Sequence, residues 1–447
     1  MKQQGTSETG PLVLLYMKFI IKKTEKLNGV CTIPSSKSET IRALVFAALG
    51  SGQSEIRKFL DCEDTRTTIQ VLKNLGVQTT QKDELILIKS MGLPMKIKNT
   101  HINTGNSGIT TRFILPVLGL RDDTELPLVF DCGNQMRRRP IQPLVNALNK
   151  LGMKITFIKK RGECPLLVKG ALRGGTVSVN GLTSQYLSAL LMSLPLAPKD
   201  SVITVKNLHE RPYVEMTLEF LKNLGVSLSH QKIKNMDIYK IEGRQKYRGF
   251  HRSISGDFSS ASCLIVAGCL VSGKVVLKNL DIKSAQGDKR LITILRKMGA
   301  DIKIAENKII IHGGRKLIGI AIDANDVPDL VPALAVVATC AHGKTRIYNV
   351  TQARLKETDR IKSMTLGLRR LGARVEEFKD GLTTYQSELH GRTVRGFDDH
   401  RTVMALTVAG MVARGTTIVT NAEVVNKTFP KFYRLMRSLG GNISLKK

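Results

Sequence analysis

The chain has 447 residues, of which 42% are hydrophobic and 24% are charged. This length predicts two or three domains of ordinary size, and the composition excludes a collagen-like, disordered or disulfide-stapled chain. No run reaches the ~18 uninterrupted apolar residues that a membrane-spanning helix needs. Residues 11–21 lack the cleavage site of a signal peptide, so we expect a cytoplasmic protein without a membrane partner.

Lysine and arginine outnumber the acidic residues by 69 to 37, which gives a net charge of +32. A charge this large indicates anionic partners, namely nucleic acid, anionic lipid, or small phosphorylated and carboxylated substrates. Stacking on single-stranded bases has little support, because the chain has no Trp and 5% aromatic residues. The seven cysteines form no Cys-x-x-Cys pair, so we expect neither a zinc site nor a disulfide framework. We expect no cofactor either.

Six predicted amphipathic helices end in a Leu-Gly or Met-Gly pair, at intervals of 68 to 76 residues. The glycines are Gly76, Gly152, Gly225, Gly299, Gly372 and Gly440. Glycine stops a helix readily because the left-handed conformation costs it nothing. Most of these glycines precede a short alternating segment, such as 153–158, that predicts a strand. The chain therefore consists of six repeated units of about 75 residues each.

A second helix in each unit is apolar on nearly all faces and opens with small polar residues, which predicts a buried helix. The six are predicted at 36–49, 107–118, 184–194, 259–270, 329–339 and 399–412. We therefore expect an α/β fold of six βαβ-type units in two pseudo-threefold domains, 34–254 and 255–447. Residues 1–33 would be an extension and a first strand packed with the second domain. A repeat scaffold without a binding site is the alternative.

The openings of these buried helices carry the candidate binding residues. A helix N-terminus has unpaired N–H groups and a partial positive charge, so several N-termini meeting in one cleft would bind anions. Ser38 and Arg42 share a face of the first helix, and Gly108 in the second opening lets backbone amides approach a ligand. The hydroxyls of Thr183 and Ser184 suit phosphate oxygens. Each opening taken singly is explained as simply by an ordinary N-cap.

The second half of the chain carries four charged clusters at corresponding places in the repeats. They are Pro328-Asp329, the run from Lys356 to Arg360, Asp399-His400-Arg401, and Lys427 with its neighbours. The spacing places Lys356 and Arg360 one helical turn apart, beside Glu357. One such cluster is usually a solvated helix face, but four in register indicate a shared polar site.

In order and spacing, these residues resemble the motifs of the 5-enolpyruvylshikimate-3-phosphate synthase (EPSP synthase) family, from about residue 26 to the C-terminus. The motifs are S-K-S-x-x-x-R at 36–42, G-N-x-G-x-x-x-R at 105–112, R-P at 139–140, S-Q at 184–185, P-Y at 212–213, G-D-x-S-S-A-S at 256–262, P-D at 328–329, K-E-T-D-R at 356–360, D-H-R at 399–401 and K-T-F-P at 427–430. The resemblance implies a two-domain inverse α/β barrel with the active site in the interdomain cleft. It also implies transfer of the carboxyvinyl group of phosphoenolpyruvate to the 5-hydroxyl of shikimate 3-phosphate, in a monomer that binds no nucleic acid.

The resemblance also assigns site residues. Shikimate 3-phosphate would contact Lys37, Ser38, Arg42, Thr183, Ser184, Gln185, Tyr213, Asp329, Gln352 and Lys356. Phosphoenolpyruvate would contact Lys37, Asn106, Gly108, Arg139, Gln185, Arg360, Arg401 and Lys427. Asp329 and Glu357 would transfer protons, with Lys37 as the proton donor or an electrostatic partner. Neither a metal nor a covalent nucleophile is implied.

Several positions depart from the family pattern. Gln352 stands where Asn is frequent, and Ile109 and Phe113 stand where Thr and Pro are common. Because Ile109 and Phe113 would flank the phosphoenolpyruvate site, we expect altered sensitivity to glyphosate, which competes with phosphoenolpyruvate in this family. Residues 1–17 lie outside the resemblance, either as an extension or because translation starts at Met17.

Two rival functions stay open at this point. UDP-N-acetylglucosamine enolpyruvyl transferases share the implied fold, but they typically have a reactive Cys that residues 109–112 lack. A nucleic-acid-binding protein would explain the charge and would bind with a steep salt dependence. Asp329 and Glu357 argue against it, because carboxylates repel a phosphate backbone.

Overall fold

A computed structural model of the chain describes residues 17–447. The two alternatives for residues 1–17 concern a segment that lies almost wholly outside the described residues. Within the described part, the chain forms six four-stranded sheets. No helix among residues 17–447 combines the length and apolar character needed to cross a membrane.

The strands are short, and each sheet combines one parallel pair with two antiparallel pairs. They are β1 (Lys18–Lys22), β2 (Gly29–Thr32), β3 (Ser51–Arg57), β4 (Gln78–Lys82), β5 (Leu85–Met91), β6 (His101–Asn103), β7 (Leu128–Asp131), β8 (Lys154–Phe157), β9 (Leu166–Lys169), β10 (Gly175–Asn180), β11 (Ser201–Lys206), β12 (Leu228–Ile233), β13 (Met236–Ile241), β14 (His251–Ser253), β15 (Gly273–Lys278), β16 (Asp301–Ala305), β17 (Lys308–Gly313), β18 (Ala321–Asp323), β19 (Lys344–Tyr348), β20 (Val375–Phe378), β21 (Gly381–Tyr385), β22 (Thr393–Val394), β23 (Thr416–Thr420) and β24 (Ile443–Lys446).

The helices alternate between the buried type and the amphipathic type. They are α1 (Lys37–Leu49), α2 (Glu63–Asn74), α3 (Gly108–Val117), α4 (Asn134–Arg137), α5 (Gln142–Lys150), α6 (Ser184–Ser193), α7 (Arg211–Asn223), α8 (Phe258–Leu270), α9 (Arg290–Lys297), α10 (Val331–Cys340), α11 (Arg360–Arg370), α12 (His400–Val412) and α13 (Phe432–Ser438). Short 3₁₀ turns cover Leu118–Leu120, Leu194–Leu196, Gly287–Lys289, Pro328–Leu330, Thr351–Leu355 and Ala422–Lys427.

The repeat prediction is confirmed by the backbone. All six glycines that close the amphipathic helices have positive φ angles, between +73° and +106°. The six apolar helices are α1, α3, α6, α8, α10 and α12, and nearly every residue in them is buried. The predicted α/β class and the six-unit architecture are therefore confirmed.

The sheets pair strands in one repeated order. Four sheets are built within one repeat, or with β1 added, in orders such as β6-β7-β9-β8 and β10-β11-β13-β12. Each of the other two sheets takes one strand from a distant part of the chain. In one of them β14 pairs with β3, and in the other β2 pairs with β15. In the last sheet, β1 lies between β23 and β24. The N-terminal strands therefore tie the beginning of the chain to its second half.

The hydrophobic side chains form two separate cores. One contains residues between 41 and 254, and the other contains residues 19–33 together with residues between 258 and 443. The chain passes between the cores at two adjacent segments, where Ser36 N donates to Ser255 O at 2.8 Å and Asp257 N donates to Pro34 O at 2.9 Å. We propose domain limits at 34–254 and 255–447 on this basis.

Candidate active site

A polar cavity lies where the N-termini of the buried helices from both cores meet. Most of the predicted site residues line it, namely Lys37, Ser38, Arg42, Gly108, Arg139, Ser184, Gln185, Tyr213, Asp329, Lys356, Glu357, Arg360 and Arg401. Four others do not line it, namely Asn106, Thr183, Gln352 and Lys427. Most of the predicted residues, which are spread over about 390 positions of the chain, thus gather in one place.

Side-chain caps fix the helix N-termini at this cavity. Ser36 caps α1, Ser107 caps α3 and Thr183 caps α6, each accepting a hydrogen bond from a backbone N–H of the first turn. Asp399 caps α12 by accepting from the amides of Arg401 and Thr402. The N-terminal ends of these helices add partial positive charge to the cavity.

Lys37, at the first position of α1, is held by a carboxylate that the motifs do not include. Its Nζ lies 2.8 Å from Oδ2 of Asp64, and both side chains are nearly buried. Burial alone would lower the pKa of Lys37, but the charges of Asp64 and Glu357 outweigh it and raise that pKa above its ordinary value. Lys37 therefore carries a proton and a positive charge at neutral pH.

Glu357 is a buried carboxylate between two guanidinium groups. Its Oε2 lies 2.7 Å from Arg360 Nη2, and its Oε1 lies 3.5 Å from Arg139 Nη1. Burial alone would raise the pKa of Glu357, but Arg360, Arg139 and Lys427 together hold that pKa well below its ordinary value. Glu357 is therefore ionised and able to accept a proton.

Asp329 stands among cations at the turn before α10. Its Oδ1 lies 2.6 Å from Arg360 Nη1 and 3.6 Å from Lys356 Nζ, and its Oδ2 lies 3.2 Å from Arg401 Nη2. Tyr213 donates its hydroxyl hydrogen to the same Oδ2 at 3.2 Å. Burial would raise the pKa of Asp329, yet the three cations hold that pKa well below the ordinary value.

Arg360 holds the acidic residues of the second core in a fixed arrangement. It is 1% exposed and donates to Asp329, to Glu357 and, through Nε at 2.8 Å, to Asp399. Asp399 is itself the cap of α12, so one guanidinium links the ends of three neighbouring segments. Arg360 therefore fixes the positions of Asp329 and Glu357 relative to each other.

The prediction that Lys356 and Arg360 lie one helical turn apart is wrong. α11 begins only at Arg360, because the side chain of Asp359 caps it by accepting from Lys362 N at 3.0 Å. Lys356 follows the 3₁₀ turn Thr351–Leu355 and has an extended backbone. The two cations meet because both reach Asp329 and not because they share a helix face.

Three buried arginines at the cavity have a donor that the protein does not satisfy. Among the described residues, the buried Nε atoms of Arg112, Arg139 and Arg401 have no hydrogen-bond partner. Arg112 also donates from Nη1 to Gln185 Oε1 at 2.7 Å and so orients that amide. Buried donors without partners are costly unless a ligand satisfies them, which suits a site for carboxylate or phosphate.

Lys427 connects the two cores at the rim of the cavity. Its Nζ donates to Asn106 O at 3.1 Å and to Gln135 Oε1 at 3.0 Å. Gln135 in turn donates to the carbonyl oxygens of Glu357 at 3.3 Å and Asp398 at 2.9 Å. Polar contacts of this kind couple the loop before α3 to the acids of the second core.

Some predicted residues are engaged by the protein itself. Arg42 donates from Nε to Thr217 Oγ1 at 2.8 Å and from Nη2 to Tyr213 O at 2.7 Å, and its guanidinium lies 5.1 Å from the ring centre of Phe113. Gln352 donates to Asn325 O at 2.7 Å. These contacts hold the side chains of Arg42 and Gln352 in place.

Several polar residues of the site were missed by the sequence assignment, among them Asp257, Ser259 and His400, which line the cavity and lie within the quoted motifs. Four others take part in its hydrogen bonds and ion pairs. They are Asp64, Arg112, Gln135 and Glu210. Arg112 is the last residue of the G-N-x-G-x-x-x-R motif and could have been included on that signal. The other three have no local signal, because their contacts span 27 to 222 positions of the chain and arise only from the fold.

Comparison with known proteins agrees with this geometry. A family model described as EPSP synthase (3-phosphoshikimate 1-carboxyvinyltransferase) matches residues 21–436. Proteins named 3-phosphoshikimate 1-carboxyvinyltransferase include one from Acetivibrio thermocellus, 40% identical over 422 residues, which are 94% of this chain and 98% of that protein. Another, from Methanocaldococcus jannaschii, is 38% identical over 434 residues, 96% of this chain and 99% of that protein.

A solved structure of the EPSP synthase of Acinetobacter baumannii has a TM-score of 0.81 and 24% identity, and it covers 97% of this chain and 100% of that one. That likeness shows that the fold is shared. The match of the family model over most of the chain, together with relatives near 40% identity, settles the resemblance that the motifs predicted. The chain belongs to the EPSP synthase family.

Proposed function

We propose that this chain transfers the carboxyvinyl group of phosphoenolpyruvate to the 5-hydroxyl of shikimate 3-phosphate, with release of phosphate, in the cavity between the two cores. The observation that carries the proposal is the meeting of Lys37, Arg139, Lys356 and Arg401 with two ionised carboxylates at one set of helix N-termini. Both substrates carry a phosphate and a carboxylate, which gives these cations their partners.

The two substrates would divide the cavity between them. Shikimate 3-phosphate would be held by Ser38, Arg42, Thr183, Ser184, Tyr213, Gln352 and Lys356. Arg139, Arg360, Arg401 and Lys427, with the loop at Asn106 and Gly108, would hold phosphoenolpyruvate. Lys37 and Gln185 would lie between the substrates. The free Nε donors of Arg139 and Arg401 support this division.

Proton transfer follows from the charge states. The 5-hydroxyl must lose a proton and the methylene carbon of phosphoenolpyruvate must gain one, which gives a tetrahedral intermediate with a methyl group. This intermediate then loses phosphate, and its methyl group gives up a proton, which restores the carbon–carbon double bond of the product. Asp329 and Glu357 both have depressed pKa values, so each is ionised at neutral pH and has no proton to donate, and each would act as a proton acceptor. The raised pKa of Lys37 keeps it protonated, so Lys37 would act as the proton donor or as an electrostatic partner.

Positioning and electrostatic stabilisation would supply the rate enhancement, since negative charge develops among fixed cations in a site that excludes most water. The experiment mixes the purified chain with phosphoenolpyruvate and shikimate 3-phosphate, and it measures phosphate release and the mass of the product. We expect one phosphate per enolpyruvyl product. Turnover with UDP-N-acetylglucosamine but not with shikimate 3-phosphate would contradict the proposal.

A further inference from the structure

Glu210 is a buried carboxylate in the cavity that the proposed reaction does not use. It is 2% exposed and directly precedes α7, with a left-handed backbone at φ +57°. Its Oε2 accepts from Ser184 Oγ at 2.8 Å, from Ser184 N at 3.2 Å and from Thr183 Oγ1 at 3.2 Å. Its Oε1 is in contact with Lys356 Nζ. One carboxylate therefore takes up four donors at the N-terminus of α6.

These four donors form an anion site in their own right. Two hydroxyls, a backbone N–H at a helix N-terminus and a lysine are the groups that proteins use to bind phosphate. Under the proposed function, Thr183, Ser184 and Lys356 are also residues that hold shikimate 3-phosphate. The carboxylate of Glu210 thus lies where the phosphate group of the substrate would find its donors, and the two anions cannot share them.

We propose that Glu210 is an internal competitor of the substrate phosphate and sets the affinity of this chain for shikimate 3-phosphate. The inference rests on the proposed function, because that function defines the phosphate as the ligand. Binding requires the carboxylate to leave Ser184 and Lys356, so part of the substrate's interaction energy is used to displace it. Glu210 contacts Thr183, Ser184 and Lys356, none of which is a proposed ligand of phosphoenolpyruvate, so binding of phosphoenolpyruvate should not be affected.

The test compares E210S and E210Q with the wild type and with E215Q. Glu215 lies on α7 and is exposed, so E215Q removes the same charge outside the site and serves as the matched control. Isothermal titration measures the Kd for shikimate 3-phosphate and for shikimate, which lacks the phosphate, and steady-state kinetics gives both KM values. We expect the Kd for shikimate 3-phosphate to fall at least tenfold in E210S, about 1.4 kcal/mol, and less in E210Q. The KM for phosphoenolpyruvate and the Kd for shikimate should stay within twofold.

A purely structural role for Glu210 gives a different pattern. The variants would then lose thermal stability while the Kd for shikimate 3-phosphate stayed unchanged or rose, and that result overturns the inference. Should E210S fail to fold, the near-isosteric E210Q carries the same test. A structure of the wild-type complex with shikimate 3-phosphate is independent of both variants, and Glu210 still bound to Ser184 and Lys356 there would also overturn it.

The two proposals fail in different ways. Absence of product from phosphoenolpyruvate and shikimate 3-phosphate in the wild type would overturn the proposed function. Normal turnover with no gain in affinity in either folded variant would overturn the role of Glu210 alone.

Discussion

Asp64 shows how a single side chain can prepare a site without belonging to any motif of the chain. Its carboxylate fixes Lys37 at 2.8 Å, and the same charge contributes to the raised pKa of that lysine. Nothing in the local sequence around residue 64 signals this role, because the contact depends on how α2 packs beside α1. Lys37 itself could be predicted, since it lies in a recognisable motif.

We predict that D64N lowers kcat by at least about tenfold, because Lys37 loses the partner that orients it. The measurement is steady-state phosphate release at saturating substrates. E63Q is the matched control, since Glu63 is the exposed neighbour at the start of α2. A D64N enzyme with kcat within twofold of wild type would show that the ion pair does not position Lys37.

Asp288 should make stability depend on pH. It is buried beside Tyr213, and burial together with the charge of Asp329 raises its pKa from 3.8 to about 7. Between these pH values the unfolded chain gives up the proton while the folded chain keeps it, so the free energy of unfolding falls as pH rises from 4 to 7. Well above pH 7 the folded chain also gives up this proton, so Asp288 lowers the free energy of unfolding no further.

We therefore predict that D288N gains thermal stability relative to wild type, and that the gain is larger at pH 8 than at pH 5. The charges that face this group include those of Asp329, Arg401 and Asp257. Thermal unfolding of both proteins at the two pH values checks the prediction. An equal difference in Tm at pH 5 and pH 8 would show that Asp288 does not titrate in this range.

The six helix-closing glycines are the elements that the sequence predicts best, because a left-handed residue after an amphipathic helix is a local requirement. Their surroundings differ in a way that the sequence does not reveal. A Cβ at Gly76, where φ is +87°, would lie 2.5 Å from Lys96 O, whereas a Cβ at Gly225, where φ is +73°, meets nothing within 4 Å.

This pair gives a controlled test of backbone strain. G225A should lose about 1 kcal/mol of stability, from the left-handed conformation alone. G76A should lose about 3 kcal/mol or more, because the Lys96 backbone must also move. Urea unfolding measures both changes. Equal losses of stability in the two variants would show that moving the Lys96 carbonyl costs no free energy.

Other elements were beyond sequence reasoning for a physical reason. The start of α11 is set by the Asp359 cap. The residue pattern between Lys356 and Arg360 does not distinguish a helix that begins at Arg360 from a helix that begins one turn earlier. The sequence predicted a first strand packed with the second domain, but its pairing with β23 and β24 joins strands about 400 to 430 positions apart, which no local pattern encodes. Ile109 lines the cavity and Phe113 packs on Arg42, so altered glyphosate sensitivity stays a prediction.

At the scale of the whole molecule, two cores meet around one polar cavity, and the chain crosses between them at paired segments. The number of repeats could be predicted from the glycine spacing. The convergence of the helix N-termini could be inferred only through the family resemblance, because six similar units could equally stack into an open array. The net charge of +32 is far larger than the cavity requires.

That charge should act on substrate capture. We predict that kcat/KM for both anionic substrates falls as salt rises from about 20 mM to about 300 mM, because screening weakens long-range attraction. The kcat at saturation should change little, since it reports groups already in contact. A kcat/KM that is flat across this range would contradict electrostatic steering. Tight, steeply salt-dependent binding of duplex DNA would instead support the rival nucleic-acid function.

We propose that an ionised acid and a protonated lysine in this cavity carry out enolpyruvyl transfer. The most direct measurement is phosphate release from phosphoenolpyruvate and shikimate 3-phosphate by E357Q, beside E306Q, which makes the same change at an exposed glutamate outside the cavity. We expect that E306Q matches wild type while E357Q loses at least about 100-fold in kcat with its fold intact. A folded E357Q enzyme that turns over at the wild-type rate would contradict this proposal.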